Sequence, residues 1–111
     1  MRGTEYQHGA VTVVKPEGSL SEEDAISFAS TLRDTVSRSL GRVVVDASTM
    51  HFVDSQGLEA LLDIADELAD AGASLKLCAL NDTVRDVLDI TGIAGHFEHY
   101  EDAPSAVRSF R

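Results

Sequence analysis

Apolar residues recur along the chain in two rhythms, short β-branched runs and longer stretches at helical spacing. Residues 10–14 (AVTVV) are short and β-branched, and KPEGSL follows with Pro16 and Gly18 as punctuation, which predicts a strand and then a turn. Ser19 or Ser21 then stands where a helix needs a cap, with Glu22 or Asp24 three residues further on. Ala25, Ala29, Leu32, Val36 and Leu40 continue at helical spacing until Gly41, predicting a helix of about four turns. Residues 42–48 (RVVVDAS) hold three consecutive valines without alternation, the mark of a strand covered on both faces in a parallel sheet, ended by Asp46. From Leu58, the positions Leu58, Leu61, Leu62, Ala65, Leu68 and Ala69 share one helical face, and Gly72 closes the segment. Residues 74–80 (SLKLCAL) read as the next strand. Asn81 or Asp82 then caps a short helix with Val84, Val87 and Leu88 inward, stopped by Gly92. Residues 96–100 (HFEHY) form a last strand, and Asp102 caps a final helix with Pro104 in its first turn and Ala106, Val107 and Phe110 on its apolar side. The resulting β-α-β-α-β-α-β-α order predicts a mostly parallel α/β sheet with short loops.

Length and composition narrow the classes. A chain of 111 residues is one compact domain, here taken as residues 1–111. Nothing in it is repeated or low-complexity. No apolar run approaches the roughly 20 residues that cross a bilayer, and the start MRGTEYQHGA has no signal-peptide core, so a cytoplasmic protein without membrane insertion is expected. A lone cysteine, Cys78, forms no internal disulfide and suits small core packing. The net charge of -10 repels nucleic-acid phosphates, so direct nucleic-acid binding is not expected and a protein partner with a basic patch is. His96 and His99, three apart on a strand, point to opposite faces and make a poor metal pair; surface or edge positions suit them better.

The chemistry of interest lies in residues 51–62, HFVDSQGLEALL, where a strand gives way to a helix. Such junctions at the carboxyl ends of strands are where α/β proteins place function. Asp54 or Ser55 can accept the first free N–H groups of that helix, and Gly57 removes a side chain so that another surface can approach. A helix cap alone would explain these residues, and the spacing does not decide between cap and functional site. Met50, Phe52 and Val53 lead into the serine and serve either as core or, where exposed, as the rim of a binding surface.

The segment VVVDASTMHFVDSQGLEALLDIADELADAGASLKLCAL resembles the core of a STAS domain of the anti-sigma factor antagonist type. It shows the V-V-x-D strand, a signature of the form F-[IVM]-D-S-[ST]-G-L, and the following strand in the order and spacing of that family. VTVVKPEGSL is similar to the family's first strand and turn, and VLDITGIAGHFEHYEDAPSAV to its C-terminal part. The resemblance implies a single domain with a mostly parallel or mixed sheet of four to five strands and about four helices. It further implies a non-enzymatic partner switch. The unphosphorylated protein binds an anti-sigma factor with serine kinase activity and so releases a sigma factor for transcription. Phosphorylation of Ser55 ends that binding, and a serine phosphatase restores it, as in stress-response circuits. The partner-binding residues implied are Met50, Phe52, Asp54, Ser55, Gln56 and Gly57, with no cofactor, metal or catalytic residue of its own. Gln56 departs from the pattern, which has Ser or Thr there. The same family includes non-enzymatic scaffold subunits of membrane transport complexes, the alternative reading.

Two other classes fit less well. A hydrolase elbow needs Gly-x-Ser-x-Gly, and Val53 occupies the place of its first glycine. A phospho-aspartate receiver would use Asp46, but VVKPEG lacks the acidic pair and HFEHY the lysine that such a site requires.

Overall fold

The computed structural model describes residues 3–20 and 22–110. The elements are β1 (Gly3–His8), β2 (Val11–Pro16), β3 (Gly18–Leu20), α1 (Glu22–Arg38), β4 (Val43–Asp46), β5 (Met50–Val53), α2 (Ser55–Asp70), β6 (Leu75–Cys78), α3 (Asp82–Ile90), β7 (Phe97–Tyr100) and α4 (Ala103–Arg108), with a 3-10 turn at Ala94–His96 before β7. Five strands form the main sheet in the order β1-β2-β4-β6-β7, parallel except for the antiparallel β1–β2 hairpin. A separate parallel pair joins β3 to β5.

The mixed five-stranded sheet and four helices match the expected architecture, with three strands more than the simple alternation predicts. β1 lies outside the pattern because all six of its residues are exposed and carry no buried stripe to read. β3 and β5 are three and four residues long, and only Leu20, Met50 and Val53 in them are buried. Of the serines expected to cap α1, Ser19 stands in β3, and Ser21 lies outside the described residues.

Helices cover both faces of the main sheet, which explains the valine run. In β4, Val43 and Val45 point into the large core under α1, α2 and α3, while Val44 joins Val11, Val13, Cys78 and Ala106 beneath α4. Cys78 is fully buried, as its expected packing role requires, and burial, followed by the nearby Asp46 carboxylate, pushes its thiol up to about 12. Phe28 in α1 and Ile64 in α2 are core residues in place of the expected Leu40 and Ala69, which are exposed. Leu40 falls beyond the helix end, where Gly41 donates to Val36 O and turns the chain. His96 lies in the 3-10 turn, 3.4 Å from Asp66, and His99 is exposed on the edge strand β7.

One polar cluster ties α4's side of the sheet together. Lys76 on β6 has a side chain only 10 % exposed; its Nζ donates to Glu98 Oε1 at 2.8 Å and lies 4.5 Å from the centre of the Phe110 ring. Tyr100 Oη donates to the same carboxylate at 2.6 Å. These bonds, the lysine's first, hold the Glu98 carboxyl down at about 2 from its ordinary 4.5. A carboxylate whose affinity for protons falls on folding stabilises the native state above its unfolded value. That contribution is therefore whole above pH 4.5 and disappears as pH falls from 4.5 toward 2. Acid titration of the melting temperature should show a shallower decline across this window in Glu98→Gln than in the wild type. Parallel curves would show that Glu98 is not an acid-sensitive contact.

Candidate functional site

The chain enters the site through β5, whose Val53 pairs with Leu20 on β3, and turns at Asp54 into α2. Asp54 is extended (φ -94°, ψ -176°), and its Oδ1 accepts the Gly57 N–H at 2.9 Å, a side-chain N-cap. Its own N–H donates to Leu20 O at 3.1 Å and its carbonyl accepts from Leu58, so the turn is fixed from three sides. Ser55 is the first helical residue and, like Gln56, is exposed. The sequence left the cap to either Asp54 or Ser55; the aspartate takes it and leaves the serine facing solvent.

Gly57 is buried, and the surface that approaches it belongs to the chain itself. A Cβ at this position would collide with the carbonyl oxygen of Leu20 and stand 2.6 Å from Val53 Cγ2. The glycine lets α2 begin directly against the β3–β5 pair. Of the two places open to Met50, core or rim, it takes the core: it is 1 % exposed, whereas Phe52, two residues on, is 44 % exposed. The accessible set is thus Phe52, Ser55 and Gln56, with Asp54 half-buried beneath them. This junction also belongs to the small β3–β5 sheet, not to the carboxyl edge of the main sheet.

Residues that the sequence did not single out extend the site. Ile26 on α1 is 75 % exposed and lines a groove of about 300 Å³ with Ala25, Ala29, Gln56, Glu59 and Ala60. Ile26 falls off the apolar stripe of α1, which is the one signal that could have marked it. α2 carries Glu59, Asp63, Asp66, Glu67 and Asp70 and no lysine or arginine, so the helix leading away from Ser55 is strongly acidic. Arg33 of α1 reaches across to Glu67 at 3.1 Å. Both partners of that pair are about half exposed, which limits its worth to a few tenths of a kcal/mol, up to about 1. Asp46 is employed elsewhere: it is buried at the end of β4, and its Oδ1 accepts the Ser48 N–H at 3.0 Å where the chain turns toward β5.

The STAS domain family model matches residues 4–106, and the chain belongs to the STAS domain family. A Bordetella bronchiseptica protein, BtrV, assigned as an anti-sigma factor antagonist, is 27 % identical over 95 residues, covering 86 % of this chain and 82 % of the relative. Among solved structures, one assigned as an anti-sigma factor antagonist from Thermotoga maritima superposes with a TM-score of 0.87 at 19 % identity, covering 96 % of this chain and 92 % of that one. The Bacillus cell fate determinant SpoIIAA in its phosphorylated form superposes with a TM-score of 0.73 at 16 % identity, covering 99 % and 100 %. These likenesses establish the shared fold. Among the described residues no helix is long and apolar enough to cross a membrane.

Proposed function

We propose that this chain is an anti-sigma factor antagonist whose unphosphorylated form binds an anti-sigma factor with serine kinase activity and whose Ser55 is the phosphorylation switch. The observation that carries the reading is the placement of Ser55: exposed, first in α2, and separated from the capping task by Asp54. The free N–H groups and positive end of a helix accept a phosphate there without opening the fold. Phe52, three residues before the serine, and the groove shared by Gln56 and Ile26 offer accessible surface for a partner, and the acidic run of α2 favours a basic one. The kinase partner brings the ATP, and a serine phosphatase removes the phosphate. Whole-cell pull-downs with wild type, Ser55→Ala and Ser55→Glu test this directly: an anti-sigma factor kinase is retained by the first two and lost by the third. Retention of a membrane transport complex instead would replace this reading with the scaffold role of the wider family.

Asp54 has a second task in this reading, to orient the serine hydroxyl toward the kinase-bound phosphate or to meet a basic residue of the partner. Asparagine caps as well as aspartate but carries no charge. Asp54→Asn is therefore expected to melt close to the wild type and to bind the partner, or be phosphorylated, about tenfold less well, the equivalent of about 1.5 kcal/mol for one charge-assisted contact. Wild-type binding and phosphorylation in Asp54→Asn would reduce the aspartate to a cap.

A further inference from the structure

Asn81 serves two elements at once. Its Oδ1 accepts the Val84 N–H at 2.8 Å and caps α3, while its Nδ2 donates to Met50 O at 3.2 Å and to His51 O at 3.3 Å on β5. Successive carbonyls of a regular strand point to opposite edges, yet here two reach one nitrogen. The cause is a bulge in the β3–β5 pair: Gly18 pairs with Met50 and Ser19 with Phe52, leaving His51 without a partner on β3. A helix cap needs only an acceptor, which Asp or Ser supplies equally well. An amide adds a donor pointing the other way. The turn that aims it is built at a cost, since Ala79, two residues earlier, holds φ at +57°, a left-handed conformation unfavourable for alanine.

We propose that Asn81 is the positioning residue of the Ser55 site: by clamping the bulge of β5 to the start of α3, it sets where Phe52 and Ser55 are presented. β5 is otherwise held on its β3 side by a pairing only three residues long. A clamp at Met50 and His51 thus governs the strand five to four residues before the serine. The consequence for the switch rests on the phosphorylation reading above, whereas the clamp itself does not.

The test separates cap from clamp. Asn81→Asp keeps the capping acceptor and loses the donor; Asn81→Ser keeps the acceptor on a single hydroxyl oxygen and lacks the separate Nδ2 arm that reaches β5; Asn81→Ala loses both. In hydrogen exchange of the purified chain, amides of residues 51–57 should exchange at least tenfold faster in all three variants, with those of β4 and β6 unchanged. Val84→Ala, which loosens α3 and leaves the donor intact, should protect residues 51–57 as the wild type does. With the kinase partner retained in the pull-down and ATP, Asn81→Ser should raise KM for Ser55 phosphorylation about fivefold and leave kcat near wild type, because the hydroxyl is intact but presented less often. Wild-type exchange in the Asp and Ser variants, or equal loosening by Val84→Ala, overturns the proposal, since the cap or the general stability of α3 would then be the whole role of Asn81. Faster exchange at residues 51–57 in a chain whose wild-type Ser55 is never phosphorylated upholds the clamp and refutes the phosphorylation reading instead.

Discussion

Ser55→Glu should lose partner binding by roughly 100-fold, while Ser55→Ala binds like the wild type, and neither should move the melting temperature by more than a few degrees. The binding loss follows from where the charge is put. A carboxylate at Ser55 lies beside Asp54 and at the head of a helix bearing five acidic and no basic side chains. An interface that closes over a serine hydroxyl has no counter-ion placed for a carboxylate, and a charge desolvated there without a partner costs several kcal/mol; about 3 kcal/mol is roughly 100-fold in affinity. Genuine phosphoserine, with about -1.5 to -2 charge, should do at least as much. Stability is spared because an anion in the first turn of an exposed helix is favourable by about 0.3–1 kcal/mol. Titration calorimetry of the three proteins against the purified partner, beside their melting curves, decides it. Equal affinity for wild type and Ser55→Glu would remove the serine from the switch. A collapse of the melting temperature would mean that the modification works by unfolding.

The chemistry of the bond supplies an independent check. Phosphate on Ser55 is an ester and survives hydroxylamine, whereas an acyl phosphate on Asp46 would not. The geometry already disfavours Asp46, whose carboxylate is buried and occupied by the Ser48 N–H.

What the sequence made legible follows from which forces act locally. Caps are written in single residues, and Asp102 and its neighbours behave as the pattern predicts, with Asp102 Oδ1 accepting the Ser105 N–H at 2.8 Å. Strands buried on both faces announce themselves, as the valines of β4 do. β1 does not, because an exposed edge strand is defined by its neighbour's hydrogen bonds and not by its own burial. At the site, Met50 and Phe52 are both apolar and two apart, and in a regular strand both would face the same way. The bulge at His51 breaks that parity, sending Met50 inward and leaving Phe52 accessible. The donor half of Asn81 was equally invisible, since its partners are carbonyls about thirty residues away in the chain.

Gly57→Ala is the substitution with the largest expected effect on the fold. Alanine in place of a helical glycine ordinarily gains up to about 1 kcal/mol. Here the new methyl would meet the Leu20 carbonyl oxygen, with Val53 Cγ2 at 2.6 Å and Leu20 Cγ at 3.1 Å. That carbonyl cannot retreat freely, because it accepts the Asp54 N–H at 3.1 Å and belongs to the residue that pairs with Val53. Overpacking costs about 1–3 kcal/mol and the strained hydrogen bond about 1 more, so the net loss is about 2 kcal/mol, near 10 °C in melting temperature for a chain of this size. The displacement would fall on the turn that presents Ser55, so phosphorylation and partner binding should weaken along with stability. Gly72, with a φ of +79° and open space within 4 Å of where a Cβ would stand, provides the contrast: Gly72→Ala carries backbone strain without a collision and should leave Ser55 phosphorylation unchanged. If Gly57→Ala melts at or above the wild-type temperature, the close approach of α2 to β3 and β5 is not what requires a glycine, and the rigid presentation of Ser55 loses its structural basis.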